Sequence, residues 1–319
     1  MGPVGRSPRT GDSIRLVHAG VTDVGRVRQT NQDHFGSVTG LHVLADGMGG
    51  HRGGEVASAE AVAAALEGFE VHSRQGLAAA VLAANRAVLV RASGDPYLSG
   101  MGTTICALAH VVGDSGDDAL AVANVGDSRV YRFSGGRLEQ VSDDHSLVAD
   151  LMRAGELSPD EAARHPKRNI LTRALGIEAD LVVDTWELVP VSGDRYLLCS
   201  DGLVNELDDS RIARILQDKA EPEAAAVELV RSAVDAGGHD NVTVVVVDVV
   251  AAPSTPGGAG YRRARARPER ASTLGIQDGA GTVSVLAWRV GGAALALALI
   301  LGSIVGLIGV YARSGWFVG

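Results

Sequence analysis

The sequence has little cysteine, little lysine and no apolar segment at its start. Its 319 residues include two cysteines, Cys106 and Cys199, each within an apolar run, which argues against a disulfide framework or a cysteine metal site. Lysine occurs only at positions 167 and 219, so arginine supplies most of the positive charge. Residues 1–13 are polar, so we expect no cleavable signal peptide at this end.

Composition and charge limit the class of protein. With 46% hydrophobic and 21% charged residues, the chain is too apolar to be disordered and too charged to be a polytopic membrane protein. Residues 251–319 contain seven of the 29 Lys and Arg and two of the 38 Asp and Glu, so they carry +5 and the first 250 residues carry −14. Since an acidic body repels a phosphate backbone, we expect no nucleic-acid partner.

The C-terminal region has the pattern of a membrane anchor. Residues 290–311 are 22 consecutive uncharged residues, which as a helix would reach about 33 Å and cross a bilayer core. Residues 251–289 read as a flexible basic linker, with five arginines between positions 261 and 270. By the positive-inside rule we expect a single-pass protein of the cell membrane, with its body in the cytoplasm and residues 312–319 as a short external tail.

Residues 12–250 combine strand-like and helical segments. Strand-like runs occupy 13–22, 41–46, 103–112, 119–127, 128–142 as a hairpin, 180–188, 195–201 and 241–250, and helical patterns occupy 55–69, 76–91, 222–234 and a segment starting at Ser158. Because hairpins outnumber strand-helix-strand units, the pattern predicts an α+β fold with mainly antiparallel sheets and helices outside them.

Four aspartates share one local setting, the end of an apolar strand beside Gly or Asn. They are Asp46, Asp127, Asp201 and Asp240. Each alone is an ordinary turn residue, but carboxylates aimed from several strands at one rim suit a hard divalent cation such as magnesium, manganese or calcium. Two such ions would hold the cluster and activate a water for phosphoester hydrolysis, with an arginine to hold the phosphate.

Short motifs in a fixed order bring a resemblance to a known family. They are Arg28-x-x-Asn31-Gln32-Asp33, Asp46-Gly47-Met48-Gly49-Gly50, Gly102-Thr103-Thr104, Gly126-Asp127-Ser128-Arg129, Asp144-His145-Ser146, Leu171-Thr172-Arg173-Ala174-Leu175-Gly176, Ser200-Asp201-Gly202 and Asp240-Asn241-Val242-Thr243. Over residues 12–250 the chain resembles the bacterial form of the metal-dependent serine/threonine protein phosphatases of the 2C type. The resemblance implies a four-layer sandwich of two antiparallel sheets flanked by helices, here followed by one C-terminal transmembrane helix.

The resemblance also implies a metal centre containing Mn²⁺ or Mg²⁺. Asp46 corresponds to the carboxylate that bridges two central ions, with the main-chain carbonyl of Gly47 on one ion and Asp201 and Asp240 on the other. Asp127, together with Asp201, matches the positions that hold a weaker third ion.

Two further residues take catalytic roles by the same resemblance. Arg28 resembles the phosphate-binding arginine, and Asp33 is similar to the acidic residue that orients waters around the ions. The segment 145–180 corresponds to a flap over the site. Eukaryotic members have a histidine, proposed as general acid, where this chain has Met48, so the leaving oxygen must receive its proton from another donor.

These observations predict a membrane-tethered phosphatase of phosphoserine and phosphothreonine in proteins. Its expected partners are phosphorylated proteins, above all serine/threonine kinases of the same membrane and their substrates. Two alternatives remain at this point. Met48 leaves room for a phosphoprotein-binding scaffold without turnover, and the metal site would equally serve a hydrolase of small phosphoesters or of an anti-sigma-type partner.

Overall fold

The structure is a computed structural model, and it describes residues 14–49 and 53–250. These residues fall within the predicted catalytic domain, 12–250. The predicted linker, transmembrane helix and external tail (251–289, 290–311 and 312–319) lie outside the described residues.

The strands are β1 (Arg15–Asp23), β2 (Asp33–Val38), β3 (Leu41–Met48), β4 (Gly102–Thr103), β5 (Ile105–Val112), β6 (Asp118–Val125), β7 (Arg129–Ser134), β8 (Arg137–Gln140), β9 (Asp184–Leu188), β10 (Arg195–Cys199) and β11 (Val242–Val250). The α-helices are α1 (Gly53–Gly68), α2 (Arg74–Ser93), α3 (Leu147–Arg153), α4 (Pro159–Ala163), α5 (Asp201–Val204), α6 (Asp209–Asp218) and α7 (Pro222–Ala236). A short 3-10 helix covers Pro96–Leu98.

These strands form two sheets in which every neighbouring pair is antiparallel. The first sheet has the order β1-β11-β10-β7-β8, and the second has β2-β3-β5-β6-β9 with β4 paired to the end of β3. The prediction of mainly antiparallel sheets is therefore confirmed.

Strand β11 shows how the layers are built. Side chains alternate between the two faces of a strand, so a run of valines buried on both sides feeds two different cores. Val242, Val244 and Val246 pack in the core between the first sheet and its helices. Val245 and Val247 pack in the core between the sheets, together with Leu44 and Leu108 of the second sheet. The two sheets therefore stack face to face.

Helices cover both outer faces of this pair of sheets. Alanines of α1 and α2, among them Ala57, Ala61 and Ala84, pack on the second sheet, while Leu229 and Ile212 of α7 and α6 pack on the first. The predicted sandwich of two sheets flanked by helices is confirmed.

Helix α2 is 20 residues long and apolar. Among the residues the structure describes, it alone has the length and apolar character of a membrane-spanning helix, with a mean hydropathy of 1.3. However, 44% of its apolar window is buried within the domain, and core helices pass the same test, so the helix is weak evidence of a span.

Candidate active-site cavity

Five predicted site aspartates lie where strands end at one edge of the two sheets. Asp33 begins β2, and Asp46 lies two residues before the end of β3. Asp127 lies in the turn after β6, Asp201 begins α5 two residues after the end of β10, and Asp240 lies two residues before β11. Rigid strands therefore deliver carboxylates from both sheets to one place.

A cavity of about 750 Å³ opens at this edge. Asp46, Asp127, Asp201, Asp240, Gly47 and Arg28 all line it. Asp33 is 4% exposed and lies beneath the cavity, since it pairs with Asp46 across β2 and β3. The structure thus brings all seven sequence-predicted site residues into the cavity or directly under it.

The backbone at Asp46 is held by two threonines. The Asp46 amide donates to Thr104 Oγ1 at 2.9 Å, and its carbonyl accepts from the Thr104 amide and from Thr103 Oγ1, both at 2.8 Å. At Gly47 a β-carbon would lie 2.0 Å from the carbonyl oxygen of Gly54, so only glycine fits there. The Asp46-Gly47 pair therefore has a fixed backbone position in the cavity.

Thr104 also supports the turn that carries Asp127. Its hydroxyl lies 2.7 Å from Ser128 Oγ, and its side chain fills the space where a β-carbon of Gly126 would be. Gly126 has φ +107, a conformation that a residue with a side chain rarely adopts. One threonine thus positions two separate aspartates.

Asn241 links the loop that carries Arg28 to the start of β11. Its Oδ1 accepts from the Gln32 amide at 2.8 Å, and its Nδ2 donates to the carbonyls of Val24 and Thr30 at 3.0 Å. Arg28, half-exposed on this loop, donates from Nη2 to Asp240 Oδ2 at 2.6 Å. The sequence motif Asp240-Asn241-Val242-Thr243 shows no role for Asn241, and the structure shows that its side chain connects these parts.

The aspartates raise one another's pKa values. Burial, followed by repulsion from Asp201 and Asp240, raises the pKa of Asp33 to about 6, although the nearby hydroxyls of Thr243 and Ser200 moderate the effect. Burial and the Asp201 charge raise the pKa of Asp127 to about 7. The pKa values of Asp46 and Asp201 are raised by the same causes, burial first. The carboxylates of such a cluster repel one another unless positive charge lies among them.

The residues present fit divalent cations. Among the described residues, both oxygens of Asp33 are buried, and the hydroxyls of Thr243 and Ser200 only partly offset the cost of that burial. The titratable donors around the cavity are carboxylates, and no histidine or cysteine of residues 14–49 and 53–250 lines it. Oxygen-only donor sets select hard ions such as Mn²⁺ and Mg²⁺.

Each ion would take few protein ligands. Within the same two ranges, no three His, Cys, Asp or Glu side chains already form a ligand group for one ion, so carboxylates that share an ion must move closer together. Magnesium-type sites commonly use only one or two carboxylates and keep several waters. A cavity with carboxylates spread over its floor matches that kind of site better than a cage made of protein alone.

The opposite wall of the cavity comes from residues 169–182. Leu171, Ile177 and Leu181 give it an apolar surface, and Arg173 places a second arginine there. The turn at Gly176 is fixed by buried Asn85 of α2, which accepts from the Gly176 amide and donates to the Glu178 carbonyl, both at 2.8 Å. The wall is therefore anchored to the domain core.

Three comparisons with known proteins place this architecture. The family model for protein phosphatase 2C matches residues 25–232. The chain is 38% identical over 242 residues to the serine/threonine phosphatase Stp of Listeria monocytogenes, covering 71% of this chain and 93% of the relative. It is 41% identical over 244 residues to the serine/threonine protein phosphatase PstP of Mycobacterium tuberculosis, covering 75% and 46%. A solved PstP catalytic domain in complex with two manganese ions superposes with a TM-score of 0.66 at 38% identity, covering 75% of this chain and all of that one.

Proposed function

This chain belongs to the protein phosphatase 2C family and is a metal-dependent serine/threonine protein phosphatase, and on that premise we propose how its own residues divide the work. The observation that carries the proposal is the convergence of five aspartates and Arg28 on one cavity from separate strands and loops. No single element of the fold could supply that set.

The aspartates are the proposed metal ligands. Asp46 with the Gly47 carbonyl would hold one ion, and Asp46 with Asp201 and Asp240 the other, while Asp127 with Asp201 would hold a weaker third. Divalent cations so held, as Mn²⁺ or Mg²⁺, lower the pKa of water and neutralise phosphoryl charge. The fixed backbone at Asp46-Gly47 and at Gly126-Asp127 supports these assignments, since ligand geometry must not relax.

Arg28 is the proposed phosphate-binding residue. Its guanidinium offers a planar fork that pairs two phosphoryl oxygens, and only one of its nitrogens is used by Asp240. Its loop is tied to the cavity by Asn241. Arg28 can therefore hold an incoming phosphoryl group beside the aspartates without giving up its place.

Asp33 is the proposed residue that orients water. Among the described residues, the hydroxyls of Thr243 and Ser200 are the donors near its buried oxygens, and Asp33 pairs with Asp46 in the β2–β3 register. Met48 carries no titratable proton, so the released serine or threonine oxygen takes its proton from solvent in the cavity rather than from this position.

Attachment to the membrane completes the proposal. The charge pattern of residues 251–311 supports a single-pass anchor with the catalytic domain in the cytoplasm. Kinases of the same membrane and their substrates are then the proposed partners, because a shared membrane raises effective concentration without new contacts. Deleting residues 251–319 should leave the hydrolysis of a soluble phosphopeptide unchanged and should slow the dephosphorylation of a phosphorylated, membrane-bound kinase. Equal slowing of both reactions would contradict the proposed tether.

The first test is phosphate release from a phosphothreonine peptide by the full chain in detergent, with and without Mn²⁺. We expect metal-dependent release in the wild type and a drop of about a thousandfold in Asp46→Asn, since charge stabilisation supplies most of such a barrier reduction. Peptide binding without release in a folded wild-type protein would instead favour the scaffold.

The arginine assignment has a matched control. Arg26 lies two residues before Arg28 and is likewise an exposed arginine paired with an aspartate, Asp235, at 2.7 Å. Arg28→Ala should raise KM for the phosphopeptide about tenfold or more, because a charged hydrogen bond to phosphate is lost. Arg26→Ala should leave KM unchanged. Equal effects of the two substitutions would remove Arg28 from the phosphate site.

A further inference from the structure

A buried ionic cluster lies beside the cavity and includes none of the residues assigned above. Asp184 is the first residue of β9, His145 lies in the loop before α3, and Arg173 lies on the cavity wall. Asp184 is 5% exposed and His145 is 1% exposed. The cluster joins three positions that lie 11 to 39 residues apart along the chain.

Asp184 is shared between the other two residues. Its Oδ1 accepts from Arg173 Nη1 at 2.9 Å, and its Oδ2 lies 3.1 Å from His145 Nε2. Burial alone would raise the pKa of Asp184, but His145 and Arg173 hold it below its usual value. The carboxylate is therefore charged and has one partner on each oxygen.

The hydrogen bonds fix the tautomer of His145. The Gly126 amide donates to His145 Nδ1 at 3.1 Å, so Nδ1 must be the acceptor and Nε2 carries the proton that Asp184 receives. Arg173 Nη1 lies 3.2 Å from Nε2, but both atoms carry protons. Arg173 and His145 are thus held together through Asp184 rather than by a direct bond.

His145 holds the turn of Asp127 at two points. Besides accepting from the Gly126 amide through its ring, it donates its own amide to the Gly126 carbonyl at 2.9 Å. Gly126 directly precedes Asp127, whose carboxylate lines the cavity. The histidine therefore sets the backbone from which Asp127 projects.

Arg173 lines the cavity and uses one of its nitrogens within the cluster. Its side chain is 35% exposed and lines the cavity, and the structure shows contacts of Nη1 only, to Asp184 and to His145. Arg173 therefore keeps donors for a ligand in the cavity, on the wall where the substrate peptide would lie.

We propose that Asp184 is a positioning residue that couples the two sides of the active site: through His145 it positions Asp127, and through Arg173 it positions the peptide-binding wall. The inference rests on the proposed function, since it takes Asp127 as a ligand and the cavity as the place of the phosphopeptide. It adds that one buried carboxylate serves both metal affinity and peptide affinity.

A matched control separates this role from plain structural support. Asp194 is 3% exposed and accepts from Arg132 at 2.5 Å, but it lies at the other end of the first sheet, away from the cavity. Asp184→Asn and Asp194→Asn each remove a buried carboxylate charge that faces an arginine, and in Asp184→Asn the amide nitrogen would also face a donor. Both substitutions should lower the melting temperature. A difference between the two variants in Mn²⁺ binding or in KM would therefore reflect where the residue lies and not a general loss of stability.

The experiment uses the full chain in detergent and measures Mn²⁺ binding by calorimetry without substrate, then KM for a phosphothreonine peptide. Asp184→Asn should weaken the weakest Mn²⁺ site by about tenfold, as loss of a ligand-supporting partner does, and should also raise KM. Asp194→Asn should change both within about twofold, as expected for a distant site. Identical behaviour of the two variants would overturn the coupling.

Single substitutions divide the two branches and remain decisive if Asp184→Asn does not fold. His145→Ala should weaken Mn²⁺ binding, and His145→Asn should restore it in part, because the Asn oxygen can still accept from the Gly126 amide. Arg173→Ala should raise KM and leave Mn²⁺ binding intact. If both substitutions changed the same quantity, or neither changed any, the proposal would be wrong. A wild-type protein that binds no Mn²⁺ would count against the proposed function itself.

Discussion

The two ends of the first sheet treat buried charge in opposite ways. At the cavity end, Asp201 and Asp240 approach Asp46, and burial together with mutual repulsion raises the pKa values of Asp46 and Asp201. At the far end, Asp248 accepts two hydrogen bonds from Arg195 at 2.6 and 2.7 Å. At the cavity end the buried carboxylates repel one another, whereas at the far end an arginine neutralises the carboxylate.

At the far end, an arginine and an aspartate stabilise the fold. Arg195 also donates to the carbonyls of Leu216, Lys219 and Ala220 and so completes the C-terminus of α6. The comparison teaches that the aspartates of the cavity are costly to the fold unless a cation is present, which is typical of functional sites.

The largest expected effect is the loss of stability on removing the arginine at the far end of the sheet. Arg195→Ala leaves Asp248 and three carbonyls without their donor, so the free energy of unfolding should fall by about 3 kcal/mol. Urea denaturation measures the loss, and kcat at a temperature where the variant stays folded should match the wild type. A comparable fall in kcat would mean that the two ends are not independent.

A slightly smaller effect is expected at the cavity end, where Mn²⁺ should stabilise the folded protein. Mn²⁺ at a hundredfold excess over its dissociation constant should stabilise the wild type by about 2.7 kcal/mol, because only the folded state gathers the aspartates. Thermal unfolding with Mn²⁺ and with chelator measures it. Arg195→Ala should gain as much stability from Mn²⁺ as the wild type, and Asp46→Asn much less. A full gain in Asp46→Asn would place the ions elsewhere.

Removing one repelling charge should stabilise the metal-free protein. Asp46 is repelled by four neighbouring aspartates, so Asp46→Asn in chelator should raise the free energy of unfolding by about 1 kcal/mol, while abolishing turnover. The matched change at the far end, Asp248→Asn, should lower it. If both variants lost stability, the contrast between the ends would fail.

The smallest effect is a dependence on pH. Asp33 and Asp127, whose pKa values rise to about 6 and about 7, bind more protons in the folded than in the unfolded protein, where a carboxyl has a pKa of about 4. Their stabilising protons are lost as pH rises, so in chelator the wild type should lose stability between pH 4 and 7. Melting temperatures across this range test the sign, and Mn²⁺ should abolish the decline. A rise in chelator would contradict the pKa assignments.

Local pattern predicted most of the fold but missed elements defined by their neighbours. The valine run of β11 and the hairpin of β7 and β8 were readable because side-chain alternation and turn residues are local signals. β2, with the sequence DHFGSV, has no such alternation and becomes a strand through its pairing with β3. Helix α6 was also missed, although Asp208 caps its start.

The candidate site divides in the same manner. The seven predicted residues stand in short motifs that a sequence displays directly, and Asp46, Asp127 and Asp201 adjoin glycines. Asp184 stands inside an ordinary strand-like run and carries no local mark of its partners. Arg164, Lys167 and Arg168, three basic residues of the segment 145–180, do not line the cavity, whereas Arg173 of the same segment does.

The sequence by itself determined the family, the antiparallel character of the sheets and the chemistry of the carboxylate set, because each depends on residue types at short spacing. Tertiary structure alone decided which charges meet. Asp184 meets His145, 39 residues away along the chain, and Asp248 meets Arg195, 53 residues away, only once the chain has folded. Electrostatic interactions act over a few ångströms in space, and separation along the chain carries no record of that distance.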